Sequence, residues 1–582
     1  MSENKSTLDT LVALCKRRGF IFQSSEIYGG FAGFWDYGPL GCELKRNIKD
    51  SWWKATVRTR EDVEGLDASI IMHPAIWKAS GHLDTFADPM SMCRNCKKLM
   101  RADQIWDLFA ENGLEAALAP LLGDPGKIAN WCKGRGRALA PNLDAVKNAE
   151  TALPRLFPRL AEPKTARDLY ILLATPDGKE SVLPCPHCGG EMTEPRPFNL
   201  MFRTVVGPID DPANAAYLRP ETAQAIFAQY TNILKTSRQA VPFGIAQMGK
   251  SFRNEVTPRN YTFRSREFEQ MELEFFIKPD EAVELLCGHV ARLTPETDLS
   301  QPQPDWGWEI WHKYWVEQRK NWLLKAGLPQ GSFVEYWQKP DELAHYARAC
   351  VDIEYAFPFG TQELEGIAAR SDFDLTQHQT HSGKPMEFFD EPLKLAAKRL
   401  SDEQKAAFRA KTLADWTARG KSEQAANRFL DRLLEGYYIP HVIEPSAGVD
   451  RMALALLCNA YSEEQIPNDS GKEDVRTVLH LSPIIAPVKA AVFPLVKNKP
   501  ELYAKAREIF KTLQSRWNTY WDESGAIGRR YRRQDEIGTP YCITVDFQTL
   551  EDGTVTLRDR DTMQQSRISI PELVAKIDAA VN

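Results

Sequence analysis

The sequence predicts an α+β protein. Its body is built on an antiparallel sheet, with a helical insertion and a small α/β domain at the C-terminal end. Three observations lead there. In "FRNEVTPRNYTFRSREFEQMELEFF" (Phe252–Phe276) two period-two runs flank a Thr-Pro-Arg-Asn bend, the pattern of two antiparallel strands. Between residues 102 and 181, "DLFAENGLEAALAPLLG" and "LDAVKNAETALPRLF" switch to helical spacing around a basic loop, "KGRGRALAP". From Arg476 onward strand-like and helix-like segments alternate, as in an α/β layer.

The elements follow in order. Leu8, Leu11, Val12 and Cys15 repeat as one face of an N-terminal helix with Ser6 as its cap. Residues 1–101 and 182–470 mix short β-branched and aromatic runs with helices and form the body; 102–181 is the insertion. "WEIWHKYWVEQRKNWLLKAG" predicts a helix over 308–327. The polar stretch "SEEQIPNDSGKED" (462–474) predicts a linker to a domain over 476–582. There "TVLHL", "AAVFPL" and "YCITVDF" read as strands of a mostly parallel sheet, "PELYAKAREIFKTLQSRW" as a helix, and Asp552–Gly553 as a hairpin turn.

At 582 residues the chain exceeds a single core, and about 3–4 domains are expected from length alone. Its 43% hydrophobic and 26% charged content fits a soluble globular chain, and no apolar run is long enough to span a membrane. The N-terminus lacks a signal peptide's layout, and eleven thinly spread cysteines point to reduced thiols in a cytoplasm. The net charge of −6 excludes a global basic field, so nucleic acid must be met by local patches such as "RRYRR" (Arg529–Arg533), which alone reads as a solvated helix face.

Two motifs need weighing. "GIAQMGKS" (Gly244–Ser251) fits the phosphate-loop pattern, but strand-like alternation continues past Lys250 and no helix follows, so the match is accidental. "CRNC" (Cys93, Cys96) and "CPHCGG" (Cys185, Cys188) are two Cys-x-x-Cys pairs, which the insertion would bring together at its base; a structural zinc ion is expected there.

The charged hairpin carries the chemistry. Period two puts Arg253 and Glu255 on one side of a strand, and Phe268, Gln270, Glu272 and Glu274 on one face of its partner, opposite Met271, Leu273 and Phe275. Such charges among apolar neighbours either pair with one another or await a ligand of both signs: phosphate for arginine, ammonium for glutamate, a flat ring for phenylalanine.

"FRNE…FRSREF" looks like motif two of class II aminoacyl-tRNA synthetases, "DYGPLGCELKRNIKDSWW" (Asp36–Trp53) resembles motif one, and "VIEPSAGVDRMALALL" (Val442–Leu457) resembles motif three. With "LRPETAQAIF", "EFEQMELEFF", "HYARACVDIEY", "QELEGIAARSDFDL" and "GAIGRRYRRQDEIGTPYCITVDF", the chain is similar to the homodimeric glycyl-tRNA synthetases from about residue 8 to 570, except much of the insertion.

The resemblance implies glycine activation by ATP and transfer to tRNA(Gly), in a cytoplasmic homodimer with Pro39 at its interface. Arg253 would bind the α-phosphate and stabilise the transition state, Glu255 would accept from the adenine amino group, and Phe268 would stack on adenine. Arg264 and the catalytic Arg451 would hold the outer phosphates, and Glu363 beside Leu364 would serve ATP and Mg²⁺. The ATP set extends to Asn254, Phe263 and Gly448. Glu221, Glu269 or Glu272, and Glu444 would take the ammonium, with Ser446 alongside; Arg101, Phe268, Gln270, Met271 and Pro445 complete the glycine set.

The C-terminal domain would bind the anticodon, which turns Arg529, Arg530, Tyr531, Arg532 and Arg533 into expected tRNA contacts. A synthetase for another amino acid and a non-catalytic relative are the rival readings. Arg253, Glu255, Glu363 and Arg451 all stand in place against the second.

Overall fold

The computed structural model describes residues 2–102, 192–209, 211–344, 346–418, 420, 422–467 and 473–581. The expected insertion, apart from residue 102, and the flanking Cys185 and Cys188 thus lie outside the described residues. Contacts divide the chain into two units. One contains Met1–Ser80, Arg203–Arg253 and Pro258–Asn582; the other contains Gly81–Phe202 and Asn254–Thr257.

In the first unit, helix α1 (Ser2–Arg18) buries Leu11, Leu14 and Cys15. Ser6 lies inside this helix and is not its cap. Helix α2 (Pro39–Trp53) opens on the exposed Pro39, whose fixed φ suits a first helical position, and buries Leu44, Ile48 and Trp52 on one face. A Cβ on Gly41 would fall 1.9 Å from the Phe20 carbonyl oxygen, so only glycine lets α2 lie this close.

Seven strands form the central sheet: β1 (Val63–Leu66), β2 (Phe243–Phe252), β3 (Glu267–Ile277), β4 (Phe333–Trp337), β5 (Ala349–Phe357), β6 (Gly360–Ser371) and β7 (His441–Gly448). Their order is β4-β5-β6-β7-β3-β2-β1; every pair is antiparallel except β2 with β1. The expected hairpin is β2–β3, running from Phe243↔Phe276 to Phe252↔Glu267. It is shorter than the sequence implied. β2 stops at Phe252, so Arg253 and Glu255 do not share a strand face. Beyond Arg253 the chain enters the second unit, where the Asn254 N–H bonds the Leu200 carbonyl at 2.7 Å.

The sheet separates apolar from charged chemistry. Met271, Leu273 and Phe275 enter the core with helix α4 (Trp308–Ala326); Phe275 lies 5.0–5.1 Å, ring to ring, from Trp311 and Trp315. Helix α6 (Val449–Ala460) joins the same core. On the opposite side lie helix α3 (Ala223–Ser237) and helix α5 (Phe373–Ser382). The phosphate-loop match dissolves as expected: Gly244–Ser251 is unbroken strand, and Lys250 pairs with Glu267 at 2.7 Å.

Three C-terminal expectations need correction. Residues 462–474 are not a plain linker: Tyr461–Pro467 pairs antiparallel with Glu473–Leu479, because alternating side chains on both flanks suit a two-stranded ribbon. Asp552–Gly553 is not a hairpin turn. An Asp546–Thr549 capping box starts a short helix, Phe547–Asp552, and Gly553 ends it at φ 71°. The five-stranded sheet has Thr519–Trp521, Ala490–Pro494 and Tyr541–Val545 parallel, then Thr554–Asp559 and Gln565–Ser569 antiparallel, so it is mixed.

The second unit contains a three-stranded antiparallel sheet with Ala87–Met92 between Leu99–Arg101 and Arg196–Asn199. Arg101 pairs with Asp88 at 3.0 Å. Cys93 and Cys96 sit in the tight turn after the central strand, where the Cys96 N–H points at Cys93 Sγ, 3.4 Å away.

Candidate active site

Glu272 and Glu274 of β3, Glu444 and Ser446 of β7, and Arg370 of β6 are brought together on the side of the sheet away from the α4 core. Period two along each strand selects these positions. Glu272 is held at both oxygens: one accepts from Gln270 Nε2 (2.9 Å) and Ser446 Oγ (2.8 Å), the other from the Thr222 N–H (2.8 Å) and hydroxyl. Arg370 Nη1 donates to Glu444 at 2.7 Å, while its other edge forks onto Asp374 at 2.8 and 2.9 Å. Its guanidinium lies 3.9 Å from the Tyr346 ring centroid. Gln224 joins Asp374 (3.0 Å) to Glu221 (3.2 Å).

This cluster holds more acid than base. Burial pushes Glu272 up, with Glu221 adding repulsion, and pushes Glu444 to about 7 against the pull of Arg370. Glu274 rises well above the usual carboxylate range, first through burial and then through Glu444. An acidic cluster of this kind is electrostatically unfinished, and a cationic group would relieve it.

Two cation sites complete the first unit's share. Arg253 donates through Nε to the Pro220 carbonyl (3.1 Å) and lies 5.4 Å from the Phe268 ring centroid. Arg451 donates to the Phe263 carbonyl (3.3 Å) and to both the carbonyl and carboxylate of Glu363 (3.2 Å each), over the Phe263 ring at 4.5 Å. Arg264 lies in the connection between β2 and β3, its carbonyl accepting from the Arg259 N–H at 3.3 Å. Gly448 is the residue before α6, where a Cβ would lie in van der Waals contact with the Arg451 side chain at 3.7–3.9 Å.

Several expected site residues sit elsewhere. Glu269 and Met271 fall on the other face of β3: Met271 is core, and Glu269 pairs with Lys45 (2.8 Å) and Lys49 (3.1 Å). Burial raises Glu269, but the two lysines outweigh it and hold it at about 2. Leu364 is also core, and Pro445 is buried between the pocket-facing Glu444 and Ser446, so neither side chain joins the pocket. Arg101, Asn254 and Glu255 belong to the second unit. Conversely, Arg370, Asp374, Thr222 and Gln224 were not singled out in sequence. The legible signal was Arg370 closing the small-residue alternation Gly366, Ala368, Arg370 at the end of β6.

The glycine–tRNA ligase of Rhodopirellula baltica is 43% identical over 591 residues, covering 98% of this chain and 99% of that one. That of Thermus thermophilus is 43% identical over 582 residues, covering 98% and 97%. The chain belongs to the glycine–tRNA ligase family. It is thus an ATP-dependent aminoacyl-tRNA ligase of class II fold, as its motifs anticipated. Residues 489–580 match the family model described as "Anticodon binding domain". Among solved structures, prolyl-tRNA synthetase from Cryptosporidium parvum complexed with L-proline and AMP superposes with a TM-score of 0.49 at 11% identity, covering 98% of this chain and 74% of that one, too slight a likeness to carry an assignment.

In the ligase's C-terminal domain the "RRYRR" run is not one RNA-facing surface. It lies on the helix Ile527–Asp535, whose 3.6-residue period turns Arg530 and Tyr531 inward. Arg530 donates to the carbonyls of Pro494 (2.6 Å), Gly525 (2.9 Å) and Glu523 (3.3 Å), and the Tyr531 hydroxyl bonds Thr544 at 2.7 Å. Arg533 pairs with Asp522 at 2.6 Å. Arg529 is exposed and Arg532 half-buried.

Proposed function

We propose that the acid-lined face of β3, β6 and β7 seats glycine, and that Arg253, Phe268, Arg264, Phe263, Arg451 and Glu363 seat ATP. The carrying observation is that one sheet face gathers a carboxylate cluster around Arg370, while two further arginines, Arg253 and Arg451, each lie over a phenylalanine ring. Glu221, Glu272 and Glu444 take the ammonium, Ser446 and Gln270 hold Glu272, and Arg370 offers its guanidinium to the substrate carboxylate. The assignments of Arg101, Asn254 and Glu255 rest on resemblance alone.

The chemistry is positioning and electrostatics. A glycine carboxylate oxygen attacks the α-phosphorus; the new P–O bond forms as the bond to pyrophosphate breaks, and pyrophosphate leaves with the electron pair. Arg253 holds the charge that develops on the α-phosphate, while Arg451 and Arg264 hold the outer phosphates. The terminal ribose hydroxyl of tRNA(Gly) then attacks the carbonyl carbon, loses its proton, and AMP leaves. Glu363 and Glu354 face one another in the β5–β6 register, a carboxylate pair that fits Mg²⁺. The pair would hold the ion, which would neutralise triphosphate charge when bound.

Further assignments follow the same reading. Cys93 and Cys96, with an N–H already directed at sulfur, would hold a structural Zn²⁺ with Cys185 and Cys188. Pro39 follows a loop exposing Ile27, Tyr28 and Phe31, an apolar surface that a second copy would cover in a homodimer. Arg529, Arg532 and Arg533 are the remaining RNA contacts of the helix Ile527–Asp535, and the setting is the cytoplasm. ATP–pyrophosphate exchange tests the core assignment. Glu444→Ala should raise the glycine KM far more than the ATP KM, and Arg253→Ala should abolish exchange while the protein stays folded. An ATP-specific defect in Glu444→Ala would mean that the pocket is misassigned.

A further inference from the structure

Glu274 is the carboxyl that the reading above leaves without employment. It has no exposed surface, and neither oxygen has a hydrogen-bond partner among the described residues. Its surroundings are accounted for on every side. On β2 it faces Ile245, which offers no polar group. On β7 the register pairs Glu272↔Ser446 and Phe275↔Ile443 set it opposite Glu444, which already accepts from Arg370 of β6. On its own strand Glu272 is held at both oxygens by Thr222, Gln270 and Ser446. From the helical side, Asp374 is committed to Arg370 and Gln224, Gln224 also to Glu221, and His378 to Gln224.

Five carboxyl groups therefore share one cluster in which Arg370 bonds Glu444 and Asp374, and Glu274 and Glu444 oppose each other on adjacent strands. Like charges in that arrangement repel, and a buried charge without a partner is among the costliest features a fold can carry. A neutral carboxylic acid avoids both costs and keeps one hydroxyl donor to give. The donor's natural target is the Glu444 carboxylate.

We infer that Glu274 is a positioning residue of the amino-acid pocket that works as a neutral acid, its hydroxyl donating to Glu444 so that Glu444 and Arg370 hold their aim without another charge. Burial and the nearness of Glu444, which raise the Glu274 carboxyl well above the usual range, agree with this. The inference rests on the assignment of Glu444 and Arg370 to the glycine pocket.

The test is steady-state ATP–pyrophosphate exchange on the full chain with Glu274→Gln, Glu274→Met and, in parallel, Glu444→Ala. Glutamine keeps a donor and no charge; methionine keeps the bulk and loses the donor. Glu274→Met should raise the glycine KM about tenfold or more, the loss of one hydrogen bond to a charged group, with the ATP KM within about twofold. Glu274→Gln should restore the glycine KM to within about twofold of the wild type. The infrared difference between wild type and Glu274→Gln at neutral pH should contain a protonated carboxyl C=O band.

The proposal is overturned if methionine matches the wild type, if glutamine is as defective as methionine, or if that band is missing. A normal glycine KM in Glu444→Ala would remove the pocket assignment itself and this proposal with it. A raised KM in Glu444→Ala beside a normal one in Glu274→Met would remove this proposal alone.

Discussion

Arg370 and Glu444 meet at 2.7 Å across adjacent strands, and the fork of the same guanidinium grips Asp374 in the first turn of the next helix. The pair fixes the geometry of the acidic cluster, because one guanidinium ties Glu444 of the sheet to Asp374 of the helix. A lysine there would keep the charge and lose the fork. Arg370→Lys should raise the glycine KM by roughly tenfold to a hundredfold with little change in the ATP KM, measured by exchange at saturating co-substrate.

Arg451 predicts the opposite split. It bridges Phe263 and Glu363, away from the acidic cluster. Arg451→Ala should raise the ATP KM and lower kcat by about 10²–10³-fold, the usual loss when a preorganised charge is removed from a transition state, and leave the glycine KM near its original value.

Glu269 gives a pH prediction. Its folded carboxyl lies at about 2, against 4.5 unperturbed, so the unfolded chain binds more protons between those values. The Lys45–Glu269–Lys49 contribution, about 2–3 kcal/mol, is full above about pH 4.5 and is lost as pH falls toward 2. Urea melts from pH 6 to 3 should show Glu269→Gln converging on the wild type at the acid end, where a constant gap would contradict the assignment.

Arg530 and Arg529 separate folding from RNA contact. Arg530→Ala removes the donor from three carbonyls, that of Pro494 in a buried bond, and should cost about 1–3 kcal/mol, seen as a lower Tm. Arg529→Ala should leave Tm unchanged and weaken tRNA binding, with a shallower salt dependence by about one unit of slope.

The sheet's two faces were legible because period two is strict: Met271, Leu273 and Phe275 could only be core once Glu272 and Glu274 were placed. The same rule, applied more firmly, would have excluded Glu269 and Leu364 from the pocket. Arg370 was harder to find, since its acidic partners lie on another strand and on a helix, and pairing across elements leaves no local pattern. "RRYRR" misled because composition says nothing of direction, and one helical turn carries two of its five residues into the core. The ribbon flanking 468–472 was read as a linker because the stretch 462–474 is almost wholly polar.

The most direct test of the account is a crystal structure with a non-hydrolysable glycyl-adenylate analogue. The account predicts the analogue's ammonium within about 3 Å of Glu272 or Glu444 and its adenine ring against Phe268. An analogue bound with its ammonium remote from β3, β6 and β7, or with its phosphate away from Arg253, would contradict it.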